Sequence, residues 1–198
     1  MYLSSGCSLC HGRAMPRMSA LYRAGGGLLL LVSVFLLGSW AQREPEKDTT
    51  AIIEASYIYN IAKLVQWQDP AMRKGAFIIG VMGSSNLYQE LVKKYATRSI
   101  GHQPIEVRKL PEMAEVDRCH ILFIPASNSH LLPGILRQPN VRSTLIISDY
   151  PGALAQGAVV NFVAARNTLK YEISMANAEK QRIEVGLTLR QLADKVVE

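Results

Sequence analysis

Cysteine is scarce in this 198-residue chain, which holds only Cys7, Cys10 and Cys119. Acids are absent from the first 41 positions, where the only charged residues are Arg13, Arg17 and Arg23. Those arginines precede an apolar run from Leu28 to Leu37 that ends in Gly38-Ser39-Trp40-Ala41. The order of basic, apolar and small residues is that of a secretory signal peptide. Ser39 and Ala41 supply the small side chains that flank a cleavage bond, which predicts cleavage between Ala41 and Gln42. The run is short of the roughly 20 residues that a bilayer span takes, and no cysteine stands at the cleavage point to accept a lipid.

Other absences narrow the chemistry. Cys7-Ser8-Leu9-Cys10-His11 spells the C-x-x-C-H pattern of covalent haem attachment, but it would be removed with the leader, and Met15 and Met18 offer later starts that omit it. Cys119 is then the one cysteine of the mature chain, so no internal disulfide can form, and a domain of this size can rest on its apolar core. Without the three leader arginines, 19 of the 22 basic residues face 16 acids, a net charge of +3. That is too mild a balance to point to nucleic acid. His102, His120 and His130 lack metal-ligand spacing, and no G-x-S-x-G elbow occurs. Gly80 and Gly83 fit neither a dinucleotide fingerprint nor a P-loop; they read as glycine for a turn, followed by a serine helix cap. Cys119 reads as a structural thiol, because in extended backbone the adjacent His120 points to the other side.

What remains is a regular alternation of elements. Residues 42–49 are polar and read as a flexible lead-in. Ala51, Ala55, Ile58, Ala62 and Val65 recur at helical spacing and predict a helix over 50–66 with that face buried. Ser56, Asn60, Lys63 and Trp67 form a second stripe at the same spacing, and a tryptophan beside Asn60 and Lys63 suits a protein interface. Strands are predicted at 77–81, 105–110, 120–124 and 144–148, with helices from Gly83 to about Tyr95 and from Asn128 to Arg137. Near-continuous apolar strands between helices imply an α/β fold with a mostly parallel sheet covered on both faces. Residues 159–164 and 169–174 predict an antiparallel hairpin added to the sheet. A closing helix is expected to bury Val185, Leu189, Leu192 and Val196.

Ala55-Ser56-Tyr57-Ile58-Tyr59-Asn60-Ile61-Ala62-Lys63-Leu64-Val65-Gln66-Trp67, the Gly80 to Gly83 strand end, Cys119-His120-Ile121-Leu122-Phe123-Ile124, Asn161-Phe162-Val163 and Lys170-Tyr171-Glu172-Ile173 together resemble the YfiR/HmsC family of periplasmic proteins. The resemblance covers nearly all of the mature chain in order, and makes 50–198 one YfiR-like domain. It implies a regulator that binds the periplasmic sensor domain of an inner-membrane diguanylate cyclase and represses it. Relief of that repression raises cyclic di-GMP and promotes exopolysaccharide and biofilm formation. Further implied partners are an outer-membrane lipoprotein that sequesters the repressor and a second copy in a homodimer; no cofactor and no metal are implied. The residues expected to meet a partner are Asn60, Lys63 and Trp67 with Phe162 and Glu172 from the later motifs. Two departures stand out: residues 182–193 only partly match the family's serine-rich turn into a leucine-rich helix, and the second cysteine that some members use for redox control is missing.

Repression needs no active site, only an interface that favours one state of the sensor by about 1–3 kcal/mol. The rival expectation is a small-molecule-binding protein, with a pocket at the strand carboxyl ends near Gly83 and Asp149.

Overall fold

The structure, a computed structural model, describes residues 48–111, 116–166 and 168–198. The signal peptide, its cleavage point and most of the lead-in lie outside these residues. The lead-in stops earlier than expected, since Asp48 caps the first helix, α1 (Thr49–Leu64), by accepting from the Ala51 amide at 3.1 Å. That bond satisfies one of the free N–H groups of the first turn.

The strands that read as apolar runs are the centre of an eight-stranded sheet: β2 (Phe77–Met82), β4 (Gln103–Leu110), β5 (Ile121–Ile124), β6 (Leu145–Ser148), β7 (Val160–Ala165) and β8 (Thr168–Ser174). With β3 (Ser99–Ile100) and β10 (Lys195–Val197) at the edges, the order is β10-β8-β7-β6-β5-β2-β4-β3. β4, β2, β5, β6 and β7 run parallel in that sequence, and β8 turns back antiparallel on β7 with Phe162 opposite Tyr171. This is the α/β architecture with a C-terminal hairpin that the apolar pattern implies.

Alternation along each strand divides the core into two. Ile79, Val81, Ile121, Phe123, Leu145 and Ile147 face α1 and α2 (Ser85–Tyr95), whereas Leu122, Ile124 and Ile146 face α3 (Leu132–Ile135) and α4 (Ala153–Gln156). Both faces are dry, which is why these strands carry few polar residues. The buried face of α1 is the expected one: Ala51, Ala55, Ile58 and Ala62 have almost no exposure, and Val65 just beyond its end is buried too.

Three local expectations need correction. The helix expected over 128–137 is a 3₁₀ segment (Ala126–Leu131) followed by the single turn of α3, since Pro133 and Gly134 keep a longer helix from forming. Gly80 does not turn the chain; it lies within β2, where a Cβ would stand 2.8 Å from Leu110. Gly83 makes the turn at φ +66°, and Ser84 sits at the cap position without a side-chain bond. The closing helix is much shorter than the 4-3-4 spacing suggests. Val185 belongs to β9 (Ile183–Val185), Val196 to β10, and between them α6 spans only Leu187–Leu192. Of the four side chains expected in its core, Leu192 is 67% exposed.

Candidate functional site

The end of α1 is decided by long-range pairing. Val65, Gln66 and Trp67 leave the helix as β1 (Val65–Trp67) and pair antiparallel with β9, Val65 opposite Val185 and Trp67 opposite Ile183. This small ribbon places the start of α6 against the last turn of α1. Gly186 donates its amide to the Leu64 carbonyl at 3.0 Å, and a Cβ there would lie 2.6 Å from that same oxygen. Glycine is thus required for a close backbone approach rather than for an unusual φ. Met175–Lys180 forms α5, which leads from β8 into β9.

Between α1, β8 and α6 this arrangement leaves an open groove of about 350 Å³. Tyr57, Asn60, Ile61, Lys63 and Leu64 form one wall, Tyr171 the floor, and Leu189 and Leu192 the other wall. The floor is rigid. The Tyr171 hydroxyl donates to the Leu189 carbonyl at 2.9 Å and the Tyr57 hydroxyl to the Leu169 carbonyl at 3.0 Å. Tyr57 packs edge-on against Tyr171, with ring centroids 5.6 Å apart, and also against Phe162. Lys170 pairs with Asp194, and the Asp194 amide donates to the Tyr171 carbonyl, so the segment after α6 is fastened to β8.

The rim is different in character. Leu192 on α6 is 67% exposed, a large value for leucine beside an apolar floor. Lys63 lies over the Tyr59 ring at 4.6 Å, and Tyr59 stacks on Tyr95 of α2. Lys63 has no ion-pair partner among the described residues. The groove therefore offers apolar anchoring surface edged by the Lys63 ammonium.

Asn60 and Lys63 come together on this groove, as their shared spacing predicts. Trp67 does not join them. It lies in β1 rather than on the helix, is buried, and packs edge-on against Phe77 and His120 at 5.1 and 5.5 Å. Its indole Nε1 is buried and has no hydrogen-bond partner among the described residues. Phe162 is also buried, beneath Tyr57. Glu172 follows Tyr171 along β8, so its side chain stands on the opposite face of the sheet from the groove. Sequence reading misses Leu192 as a groove residue, because its helical spacing with Leu189 and Val185 draws it inward.

The carboxyl ends of the strands carry the other titratable groups. Gly83 is closed off by Asn128, whose amide oxygen occupies the space a Cβ would need. Asp149 accepts from the Ala126 amide at 2.7 Å. Glu54 of α1 is buried nearby, and burial, reinforced by the negative charges of Asp149 and Asp48, pushes its carboxyl up to about 8. It is held neutral at pH 7. Among the described residues no three His, Cys, Asp or Glu side chains are placed to hold a metal ion.

Cys119 and His120 point to opposite faces. The Cys119 thiol is buried among Leu122 and its neighbours, where desolvation pushes it up to about 12. A thiol held in that state is not a nucleophile at neutral pH. His120 is sandwiched against Phe77, accepts the Ile78 amide on Nδ1 at 3.0 Å, and donates from Nε2 to the Met72 carbonyl at 2.6 Å. Because an amide can only donate, Nδ1 is unprotonated and the ring is neutral.

A family model described as YfiR/HmsC-like matches residues 51–194. No curated protein matches the chain. Among solved structures, a conserved domain protein from Vibrio cholerae O1 biovar El Tor superposes with a TM-score of 0.53 at 11% identity, over 74% of this chain and 60% of that one. The chain thus spans about three fifths of that protein's length, and the likeness is one of fold. Among the described residues no helix is long and apolar enough to cross a membrane.

Proposed function

The chain belongs to the YfiR/HmsC-like family, and from that membership we propose that it is a periplasmic negative regulator that binds the sensor domain of an inner-membrane diguanylate cyclase. The family is regulatory rather than catalytic, and the structure supplies a surface suited to that work. The observation that carries the reading is the groove, with its rigid aromatic floor and the outward-facing Leu192. An exposed leucine beside a preformed floor of Tyr57 and Tyr171 gives a protein partner apolar and aromatic area to bury. Lys63 at the rim favours an acidic border on the sensor, which speeds and orients encounter more than it holds the complex.

On this reading Asn60 and Lys63 meet the sensor directly. Phe162 acts from below by holding Tyr57, and Trp67 acts by fixing the ribbon that ends α1. The regulator binds the inactive state of the sensor more tightly, cyclic di-GMP synthesis falls, and exopolysaccharide and biofilm formation are limited. An outer-membrane lipoprotein competing for the same surface would relieve the repression. Asn128 seated against Gly83 favours this reading over a ligand pocket at that strand end.

The test is titration of purified candidate sensor domains with the wild-type chain and with Leu192→Asp, together with cyclic di-GMP measured in a deletion strain complemented by each. Saturable binding that Leu192→Asp weakens by at least about tenfold, with cyclic di-GMP raised in the deletion and variant strains, supports the reading. Cyclic di-GMP unchanged by deletion sinks it.

A further inference from the structure

A second cavity shares no residue with the groove. It encloses about 380 Å³ between α4, α5 and the segment following the 3₁₀ turn at Pro139–Val141, within the size range of small-ligand sites. Its lining is unlike that of the groove. Arg142 and Lys180 supply two cations, Gln156, Asn177 and Gln181 supply three amides, and no aspartate or glutamate is among the lining residues. Neither cation is in an ion pair among the described residues.

The amides are fixed rather than loose. Asn177 is nearly buried and spends both its N–H groups on the Leu154 and Ala158 carbonyls, at 2.7 and 2.8 Å. Its carbonyl oxygen is left without a hydrogen-bond partner among the described residues. Gln181, equally buried, is oriented to donate to the Val141 and Arg142 carbonyls at 2.8 and 3.1 Å, which anchors the backbone that carries Arg142. Gln156 accepts from the Tyr150 hydroxyl at 3.2 Å, so its NH₂ group has no partner among the described residues. At the base, Gly157 takes φ +113°, a conformation that suits glycine, and packs against the Leu136 side chain. The cavity thus combines two charged donors, a free amide donor and a fixed acceptor over a small apolar base.

We infer that this cleft is a binding site for a small hydroxylated anion, a sugar acid or sugar phosphate. Arg142 and Lys180 would hold the carboxylate or phosphate, the guanidinium offering paired donors. Gln156 and Asn177 would donate to and accept from neighbouring hydroxyl groups, and Leu136 would lie under the carbon face of the ring. A simple inorganic anion would leave the amides unused, and a neutral sugar would leave both cations without a counter-charge. Only a ligand with both features satisfies the lining.

The experiment is calorimetric titration of the folded chain at low ionic strength with D-glucuronate, a D-glucose phosphate, D-glucose, acetate and inorganic phosphate, repeated on R142Q/K180Q. Both substituted residues are exposed, so the variant is expected to melt with the wild type. Saturable binding of glucuronate or the sugar phosphate is expected. D-glucose should bind at least about tenfold more weakly, and the double variant should lose a similar factor. Absence of saturable binding by both charged sugars overturns the inference, as does undiminished affinity in the double variant. Acetate or phosphate binding as tightly as the sugars would also overturn it, by showing that the amides contribute nothing. The titration needs no sensor domain, so its outcome is separate from that of the partner reading.

Discussion

The Gly186 amide donates to the Leu64 carbonyl at 3.0 Å, and this single backbone contact joins the end of α1 to the start of α6. Since Gly186 has φ −63°, alanine suits its backbone, and the obstacle is the Leu64 oxygen 2.6 Å from the new Cβ. Gly186→Ala should therefore push α6 away from α1 and open the groove. We expect a loss of about 1–3 kcal/mol in stability, as for overpacking elsewhere, with a larger proportional loss in sensor binding. Denaturant melts and titration of the same sample measure the two effects.

His120 gives the fold a sensitivity to acid. Burial holds its pKa below the ordinary value, with the Met72 carbonyl opposing and Arg118 assisting. The unfolded chain takes up a proton near pH 6.5 and the folded one only at lower pH, so the unfolded state is favoured as acid is added. Stability is full above about pH 6.5 and is lost as pH falls through the folded value, where protonating Nδ1 breaks the bond from Ile78. In protein lacking residues 1–41, Trp67 is the one tryptophan. Its ring lies 5.5 Å from the imidazole, so quenching of its fluorescence by the imidazolium should track this titration. Emission that stays flat to the point of unfolding would contradict the assignment.

Glu54 produces the opposite slope. Its folded pKa of about 8 lies above the ordinary value of 4.5, so its contribution to stability is full below about pH 4.5 and is lost as pH rises through about 8. Asp48 and Asp149 face it and oppose its ionisation. Glu54→Gln keeps the shape without the charge and should stabilise the fold at pH 8 by an amount on the order of a few kcal/mol. Thermal melts across pH 5 to about 9 should show the high-pH decline flattened in the variant, and an unchanged decline would place its cause elsewhere.

Trp67 and Lys63 should separate folding from binding. Trp67→Ala removes a buried ring packed edge-on against both Phe77 and His120 and is expected to cost about 3–5 kcal/mol of stability. Lys63→Ala loses an exposed ammonium over Tyr59 and should leave the melt within about 0.5 kcal/mol. Its effect should be a slower association with the sensor, greatest at low salt. Stopped-flow association rates beside thermal melts distinguish the two variants.

Much of the fold is legible in the sequence because the central strands are covered on both sides. Ile121 to Ile124 and Leu145 to Ser148 have almost nothing polar to present to water, and a short continuous apolar run is what a strand dry on both faces requires. The hairpin is legible for a local reason: its two strands are joined by a short polar turn in which Arg166 takes a positive φ. The candidate site is half legible. Asn60 and Lys63 are on the groove because both belong to a helix whose buried face the sequence marks unambiguously. Trp67 falls on a different element from the one its spacing suggests, because the helical pattern continues past Leu64 and says nothing of where hydrogen bonds will be better satisfied.

The sequence alone determined the central strands, their parallel core and the buried face of α1, because each follows from burial repeated at a local period. Only the tertiary structure decided the groove. β1 and β9 are each three residues long and have no stability as isolated strands; they exist because Val65 and Val185 are brought together by everything folded between them. That pairing ends α1 at Leu64, shortens α6 to Leu187–Leu192 and turns Leu192 outward. A period read along one segment cannot report a hydrogen-bond partner more than a hundred residues away in the chain.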